Sequence, residues 1–184
     1  EDLLLQKLRV VGVSIARQGV PSSQAAQRLI GDLDPLYPAK SEAVNRELCS
    51  ILLAVNAPQA VTRTIKLLQA AATQEEQIAY VMALRNIKTG WTIDARRVYM
   101  TWWNQGRSNQ HPEFVSKWFE DAGINVNNGA SFNNFLLKAH EEAKFTMTPD
   151  EIVALSDVLA AYSAGQARKP APPLSNRKLV KEWT

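Results

Sequence analysis

The sequence predicts an all-α protein, an α-solenoid of helix pairs with a less regular C-terminal part. Ala and Leu, both good helix formers, supply 24 and 19 of the 184 residues. Apolar residues recur at three- and four-residue spacing, and no segment shows clear two-residue alternation. Helix pairs begin near Asp2, Ser41 and Gln74, which are 39 and 33 residues apart. Because a single pair cannot bury its own apolar face, this period indicates HEAT-like stacking. The alternative is an irregular helical bundle.

Start and stop signals define the first two helices. The apolar stripe of the first helix consists of Leu4, Leu5, Leu8, Val11 and Ile15. Gly19 and Pro21 end it, and Ser22 caps a second helix over Ser22–Leu33. Pro35 and Pro38 then break the helical pattern, because each disfavours helix at the residue before it.

The next four helices follow from similar signals. Ser41 opens the third helix, and Pro58 is expected at the first position of the fourth. The stripe of the third helix consists of Val44, Leu48, Ile51, Leu52 and Val55. Thr73 and Glu76 have the spacing of a capping box and start the fifth helix. A sixth helix is predicted over Ile93–Trp103.

The repeat loosens after this point. Pro112 starts a short helix, and the Asn-rich segment Gly123–Gly129 is predicted to be irregular. Ser131 caps a further helix. Thr148 and Glu151 have capping-box spacing and open one last helix, which extends through the apolar positions to residue 159.

The charge distribution divides the chain into two parts. The net charge is +3, but residues 1–165 sum to −1 and residues 166–184 to +4. We therefore expect a helical repeat domain over 1–165 and a Pro-rich, basic linker over 166–184. A wide cationic face for nucleic acid is not expected. No apolar run approaches the ~20 residues that span a bilayer.

Candidates for catalysis are few. His111 and His140 are expected to be a loop residue and a helix-face residue rather than metal ligands. Cys49 lies within an apolar stripe and is expected to be a small buried hydrophobe rather than a reactive thiol. The carboxylate pairs are Glu75 with Glu76, Glu120 with Asp121, and Glu141 with Glu142. We interpret them as solvated charges, and we expect neither a catalytic residue nor a cofactor or metal site in this chain.

One stretch combines arginine and tryptophan. The Arg/Trp cluster comprises Trp91, Arg96, Arg97, Trp102, Trp103 and Arg107. Exposed on a surface, such residues bind a protein partner, sugars or bases. The alternative is core packing, since aromatic side chains dominate cores and interfaces alike. Because Trp102 and Trp103 are consecutive, we expect one of them at an edge or interface.

Several strings of the chain resemble a known kind of region. They are Pro38–Glu42, Asn45–Leu48, Ala57–Val61, Gln74–Tyr80 with Leu84-Arg85 and Gly90-Trp91, Gly129–Phe132 with Phe135, and Leu179–Thr184. Together they resemble the HEAT-like helical region of large exported proteins from Planctomycetes and relatives. In those proteins a sugar-dehydrogenase-like β-propeller precedes the region and a haem-binding c-type cytochrome domain follows it.

The resemblance implies a place in an architecture rather than a reaction. It implies a non-catalytic scaffold, exported to the periplasm or cell surface, that spaces or docks the propeller and the cytochrome. Its partners would be neighbouring domains or another protein, with no nucleic acid. Haem is expected only in the neighbouring domain, because this chain has no haem-attachment motif. Two other functions stay open: nucleic-acid binding through the Arg/Trp cluster, and a small enzyme acting on sugar through carboxylates and tryptophan.

Overall fold

The computed structural model describes residues 1–105, 121–123 and 131–166. These residues form helices joined by turns and short connections, without a strand, so the all-α prediction is confirmed. The helices described are α1 (Asp2–Gln18), α2 (Ser23–Leu33), α3 (Glu42–Ala54), α4 (Ala60–Ala70), α5 (Gln74–Leu84), α6 (Ile93–Gln105), α7 (Ser131–Lys144), α8 (Pro149–Ala154) and α9 (Ser156–Gln166), with a 3₁₀ helix at Asp34–Leu36. None of these helices is both long and apolar enough to cross a membrane.

Two predicted signals act at the junction of α1 and α2. Gly19 ends α1 with a φ of 85°, a conformation that a side chain would make unfavourable. The Ser22 hydroxyl then accepts a hydrogen bond from the backbone N–H of Ala25 at 3.5 Å, as an N-cap does. The junction between the first two helices is therefore encoded locally, by one glycine and one serine.

The two predicted capping boxes differ in the structure. At α8 the box is complete, because Thr148 accepts from the N–H of Glu151 and Glu151 accepts from the N–H of Thr148. At α5 the Thr73 hydroxyl accepts from the N–H of Glu76. The Glu76 carboxylate accepts the hydroxyl of Tyr80, one turn on, at 3.1 Å. The starts of α5 and α8 therefore have the same residue spacing, but only α8 shows both hydrogen bonds of a capping box.

Two boundaries predicted from sequence were wrong. Pro58 does not open α4, because Gln59 adopts a left-handed conformation with φ 61° and the helix begins at Ala60. Pro58 instead lies in the turn before the helix. The last predicted helix is also interrupted, since Leu155 leaves the helical conformation and separates α8 from α9. Leu155 is fully buried there.

Side chains on α3 and α4 fix the connection between α2 and α3. Asn45 is buried, donates to the carbonyl of Ala39 at 2.9 Å and accepts from its N–H at 2.6 Å. The guanidinium of Arg63 donates to the carbonyls of Asp34 and Tyr37 at 3.0 and 2.7 Å and pairs with the Asp34 carboxylate. These bonds satisfy backbone groups that a helix or sheet would otherwise pair.

The helices share one core, although α1 and α2 contribute little to it. α1 packs on α3, α3 packs on α4 and α5, and α4 packs on α5 and α6. At the other end α6 packs on α8 and α9. The buried hydrophobic residues run from Leu8 on α1 to Tyr162 on α9. α6 therefore lies between the two halves of the core.

Some of the C-terminal predictions concern residues that the structure does not describe. Helix α9 continues to Gln166, so the expected linker over 166–184 lies outside the described residues from 167 onward. The expected helix at Pro112 and the Asn-rich segment after Gly123 lie outside them as well.

Candidate functional site

Helix α6 carries most of the Arg/Trp cluster. Its first turn is capped by Thr92, whose hydroxyl accepts from the N–H of Ala95 at 3.1 Å. Trp91 precedes the helix, is partly buried, and donates its indole N–H to the carbonyl of Ile87 at 2.8 Å. Arg107, the last member of the cluster, lies outside the described residues.

Arg96 is buried rather than presented to a partner. Its exposed fraction is 0%. It donates from Nε to Glu151 Oε1 at 3.3 Å and through both terminal nitrogens to Thr146, at 3.0 Å to the hydroxyl and 3.3 Å to the carbonyl. Its guanidinium carbon lies 3.8 Å from the centroid of the Trp91 ring. Burial lowers the pKa of Arg96, and the charge of Glu151 opposes that shift.

The carboxylate of Glu151 therefore accepts hydrogen bonds from two different elements. One oxygen accepts from the N–H of Thr148 at 2.8 Å and completes the cap of α8. The other accepts from Arg96. A buried ion pair survives only when its remaining hydrogen-bonding capacity is satisfied, and the bonds to Thr146 and Thr148 provide this. The sequence indicated the cap but not its partnership with α6, since 55 residues separate Arg96 from Glu151.

The two consecutive tryptophans are both buried, which corrects the prediction that one lies at an edge. Trp102 is 8% exposed and Trp103 is 3% exposed. Their rings meet edge-to-face with centroids 5.2 Å apart. Trp102 donates its indole N–H to Gln77 of α5 at 2.9 Å. α6 is packed against other helices on more than one side. Two consecutive residues of this helix can therefore both be buried.

An aromatic chain connects the members of the cluster to the core. Tyr99 lies between Trp91 and Trp103, with centroid distances of 5.2 and 5.9 Å. Its hydroxyl donates to the carbonyl of Val81 on α5 at 3.1 Å. Burial raises the pKa of Tyr99 far above its usual value, so this hydroxyl keeps its proton and acts as a donor.

Arg97 is more exposed than Arg96, but it also forms bonds to other residues of this chain. It donates to Asp157 Oδ2 at 2.6 Å and to the carbonyl of Ala154 at 2.8 Å. The bond from Arg97 lowers the pKa of the Asp157 carboxyl. The pair joins α6 to the end of α8 and the start of α9.

His140 is a buried residue of α7 whose ring faces α9. Its ring stacks on Tyr162 with centroids 3.5 Å apart and meets the edge of Trp103 at 5.7 Å. Its Nδ1 is 3.7 Å from a carboxylate oxygen of Glu141, the next residue in the sequence. A cleft of about 270 Å³ lies beside it, lined also by Lys144. His111 lies outside the described residues.

Cys49 belongs to a buried polar trio. Thr64 donates its hydroxyl to the carbonyl of Ala60 at 2.8 Å and so accepts the hydroxyl of Tyr37 at 2.8 Å. The Cys49 sulfur is 3.5 Å from the Thr64 oxygen. Burial raises the pKa of the Cys49 thiol to about 11. The prediction that Cys49 is buried is confirmed.

The carboxylates do not converge on a site in the described part of the chain. Glu76 accepts from Tyr80, and Glu142 pairs with Arg85 at 3.1 Å. The residues described contain no group of three or more His, Cys, Asp or Glu side chains placed to hold a metal ion. Among the described residues, Arg96, Trp102 and Trp103 are thus buried inside the protein, and Arg97 pairs with Asp157 at its surface.

Comparison with protein-family models, with curated proteins and with solved structures gave no match.

Proposed function

We propose that this chain is a non-catalytic scaffold within a larger exported protein, a HEAT-like solenoid that spaces or docks a sugar-dehydrogenase-like domain and a c-type cytochrome. The observation that carries the proposal is that the side chains of α6 contact other helices of the same chain. Its described arginines and tryptophans bind to other helices of the chain, in the place where a ligand site would otherwise be sought. A stiff helical body is what a spacer requires.

The contacts between alternate helices support the solenoid. α1 packs on α3, α3 on α5, and α4 on α6. In stacked helix pairs, each helix contacts its equivalent in the next pair, two helices further along the chain. This step occurs three times among the first six helices, which favours the solenoid over an irregular bundle.

The shifted pKa values support a structural rather than a catalytic role. Enzymes place such groups in clefts, where they meet substrate. Here the strongly raised pKa values belong to Cys49 and to the tyrosines at 37, 80 and 99, and burial in the core is the first cause in each case. Groups enclosed in this way hold their protons and pack.

The location and the neighbours rest on the resemblance of the sequence strings described above. The scaffold would be periplasmic or at the cell surface, between a propeller and a cytochrome. Haem would then belong to the following domain, since this chain has no CxxCH motif to attach it.

The flanking coding sequence tests this proposal directly. A CxxCH motif within about a hundred codons after Thr184, together with a covalent haem absorption band in the purified parent protein, would support it. The absence of both would contradict it.

A replacement in the parent protein tests the spacing role. Residues 1–165 are exchanged for a Gly/Ser linker of equal length, which behaves as a flexible coil. We expect slower sugar-dependent reduction of the haem, with unchanged sugar oxidation by an artificial electron acceptor. Loss of the second activity would show that the segment takes part in catalysis, and no change in either would show that it does not position the domains.

Nucleic-acid binding has weaker support. Phosphate binding needs several converging cations, and Arg96 is buried while Arg97 is paired with Asp157. Titration of duplex DNA at two salt concentrations separates the functions. We expect no salt-dependent binding, and binding that is lost in Arg97→Ala would favour the alternative.

A further inference from the structure

Helix α1 has two apolar faces. One packs on α3 and includes Leu8, the buried residue of this helix. The other consists of Leu3, Val10 and Val13, which are 64%, 70% and 52% exposed. At about 100° per residue, the second face lies roughly opposite the first. A helix that is apolar on opposite sides is normally covered on both of them.

The exposed face has the pattern of a coiled-coil seam. Positions 3, 6, 10, 13 and 17 are separated by alternating steps of three and four residues. Three of the five are apolar, and Gln6 and Arg17 occupy the others. An open cleft of about 540 Å³ borders the seam, with Val10 on one side and Leu29 of α2 on the other. Val10 therefore belongs both to the seam and to the lining of the cleft.

The charges at the two ends of α1 favour one orientation of a partner helix. Asp2 is in the first turn and Arg17 is in the last, and both are exposed. In an antiparallel pair of identical helices centred on Val10, Asp2 of each copy lies beside Arg17 of the other. A parallel pair would instead place like charges together, which is unfavourable.

We propose that α1 docks antiparallel on α1 of a second copy of this chain. Val10 of the two copies meets near the twofold axis, Val13 packs beside Gln6 of the other copy, and two Asp2–Arg17 pairs close the ends. An isologous contact of this kind needs one self-complementary surface, and the seam is one. This inference does not depend on the proposed function.

The expected dimer is weak. A helix of 17 residues is about 25 Å long, and one helix pair buries less than the roughly 1,200–2,000 Å² of a stable interface. Association should therefore depend on concentration and reverse on dilution.

Sedimentation of the full chain over about a hundredfold range of concentration tests the proposal. We expect the average mass to rise toward twice that of the monomer. Val10→Glu should reduce association at least tenfold, because it places two like charges at the twofold axis. Val153→Glu is the matched control, since Val153 is 75% exposed on α8. A monomer at every concentration, or an equal effect of both variants, would overturn the proposal.

Charge exchange tests the antiparallel orientation. Asp2→Lys and Arg17→Glu should each weaken association, and the double variant should restore it, as a coupled pair requires. In a second test, oxidised Val10→Cys should form a disulfide across the axis, whereas Leu3→Cys should not, because antiparallel copies hold residue 3 far from its equivalent. Equal cross-linking of both variants, or a double variant weaker than either single one, would overturn the orientation.

Discussion

Helices α1 and α2 differ from α6 in which of their residues they bury. In α1 and α2, only Leu8 is fully buried, and the apolar residues Leu3, Val10 and Val13 of α1 are more than half exposed. In α6, the charged Arg96 is fully buried, and the aromatic residues Tyr99, Trp102 and Trp103 are buried with it. Burial therefore follows the neighbours that a helix has rather than its own composition. Arg96 and Arg97 of α6 have partners on α8 and α9, whereas α1 leaves one apolar face uncovered.

Replacing Arg96 is expected to have the largest effect on stability. Arg96→Met removes the cation that pairs with Glu151, and it leaves a carboxylate in a largely buried position. Breaking a buried pair in this way costs about 3–5 kcal/mol. Urea denaturation measures the change in the free energy of unfolding.

Arg17→Met provides the comparison, because Arg17 is exposed on α1. Its effect should be below about 0.5 kcal/mol. Equal effects of the two variants would mean that Arg96 is not the internal connection that its bonds indicate.

Among the side chains that attach α1, Leu8 is expected to contribute most. Leu8→Ala removes the buried leucine of that helix and should cost about 2–4 kcal/mol, the range for a core leucine. Val10→Ala, on the opposite face, should cost less than about 0.5 kcal/mol in dilute protein. Thermal melts of both variants measure this difference. A larger loss of stability for Val10→Ala than for Leu8→Ala would show that α1 packs on the core through its other face.

The N-caps of α8 and α2 should differ in strength. Thr148→Ala removes half of a complete capping box, so we expect a loss of about 1–2 kcal/mol. Ser22→Ala removes one exposed bond of 3.5 Å and should cost about 0.5 kcal/mol or less. The free energies of unfolding from urea titrations give the comparison. A larger loss for Ser22→Ala would show that α2 is held more firmly than its burial indicates.

The smallest expected effect concerns the exposed pair of Arg97 and Asp157. The pKa of Asp157 is lowered in the folded state. Its contribution to stability is therefore complete above the pKa of an unfolded aspartate, about 3.9, and is lost as the pH falls through the folded value. Asp157→Asn should be slightly less stable than the wild type at neutral pH, and the gap should close in acid. A gap that widens in acid would contradict the direction of this shift.

The sequence predicted the helices better than their surroundings. Local signals at Gly19, Ser22 and Thr148 worked because each acts within one turn of chain. The end of α8 was missed because Leu155 is buried where its helix stops, and burial depends on other helices. Pro58 was misplaced because the left-handed residue after it has no sequence signature.

The Arg/Trp cluster shows the same limit. Arginine beside tryptophan occurs both in binding surfaces and in buried networks, and the partners of Arg96 and Arg97 lie 50 to 60 residues further along the chain. No local pattern connects them. Only the packing of α6 against α8 and α9 decides between the two interpretations for the residues that the structure describes.

Hydrogen exchange of the backbone amides, followed by mass spectrometry in dilute protein, tests the central comparison most directly. We expect that amides of α6 exchange only on global unfolding, whereas those of α1 and α2 exchange much faster through local opening. Arg96→Met should remove most of the difference by weakening α6. Amides in α6 that exchange as fast as those of α1 in the wild type would contradict the claim that α6 is held by its partners on other helices, whereas α1 leaves one face uncovered.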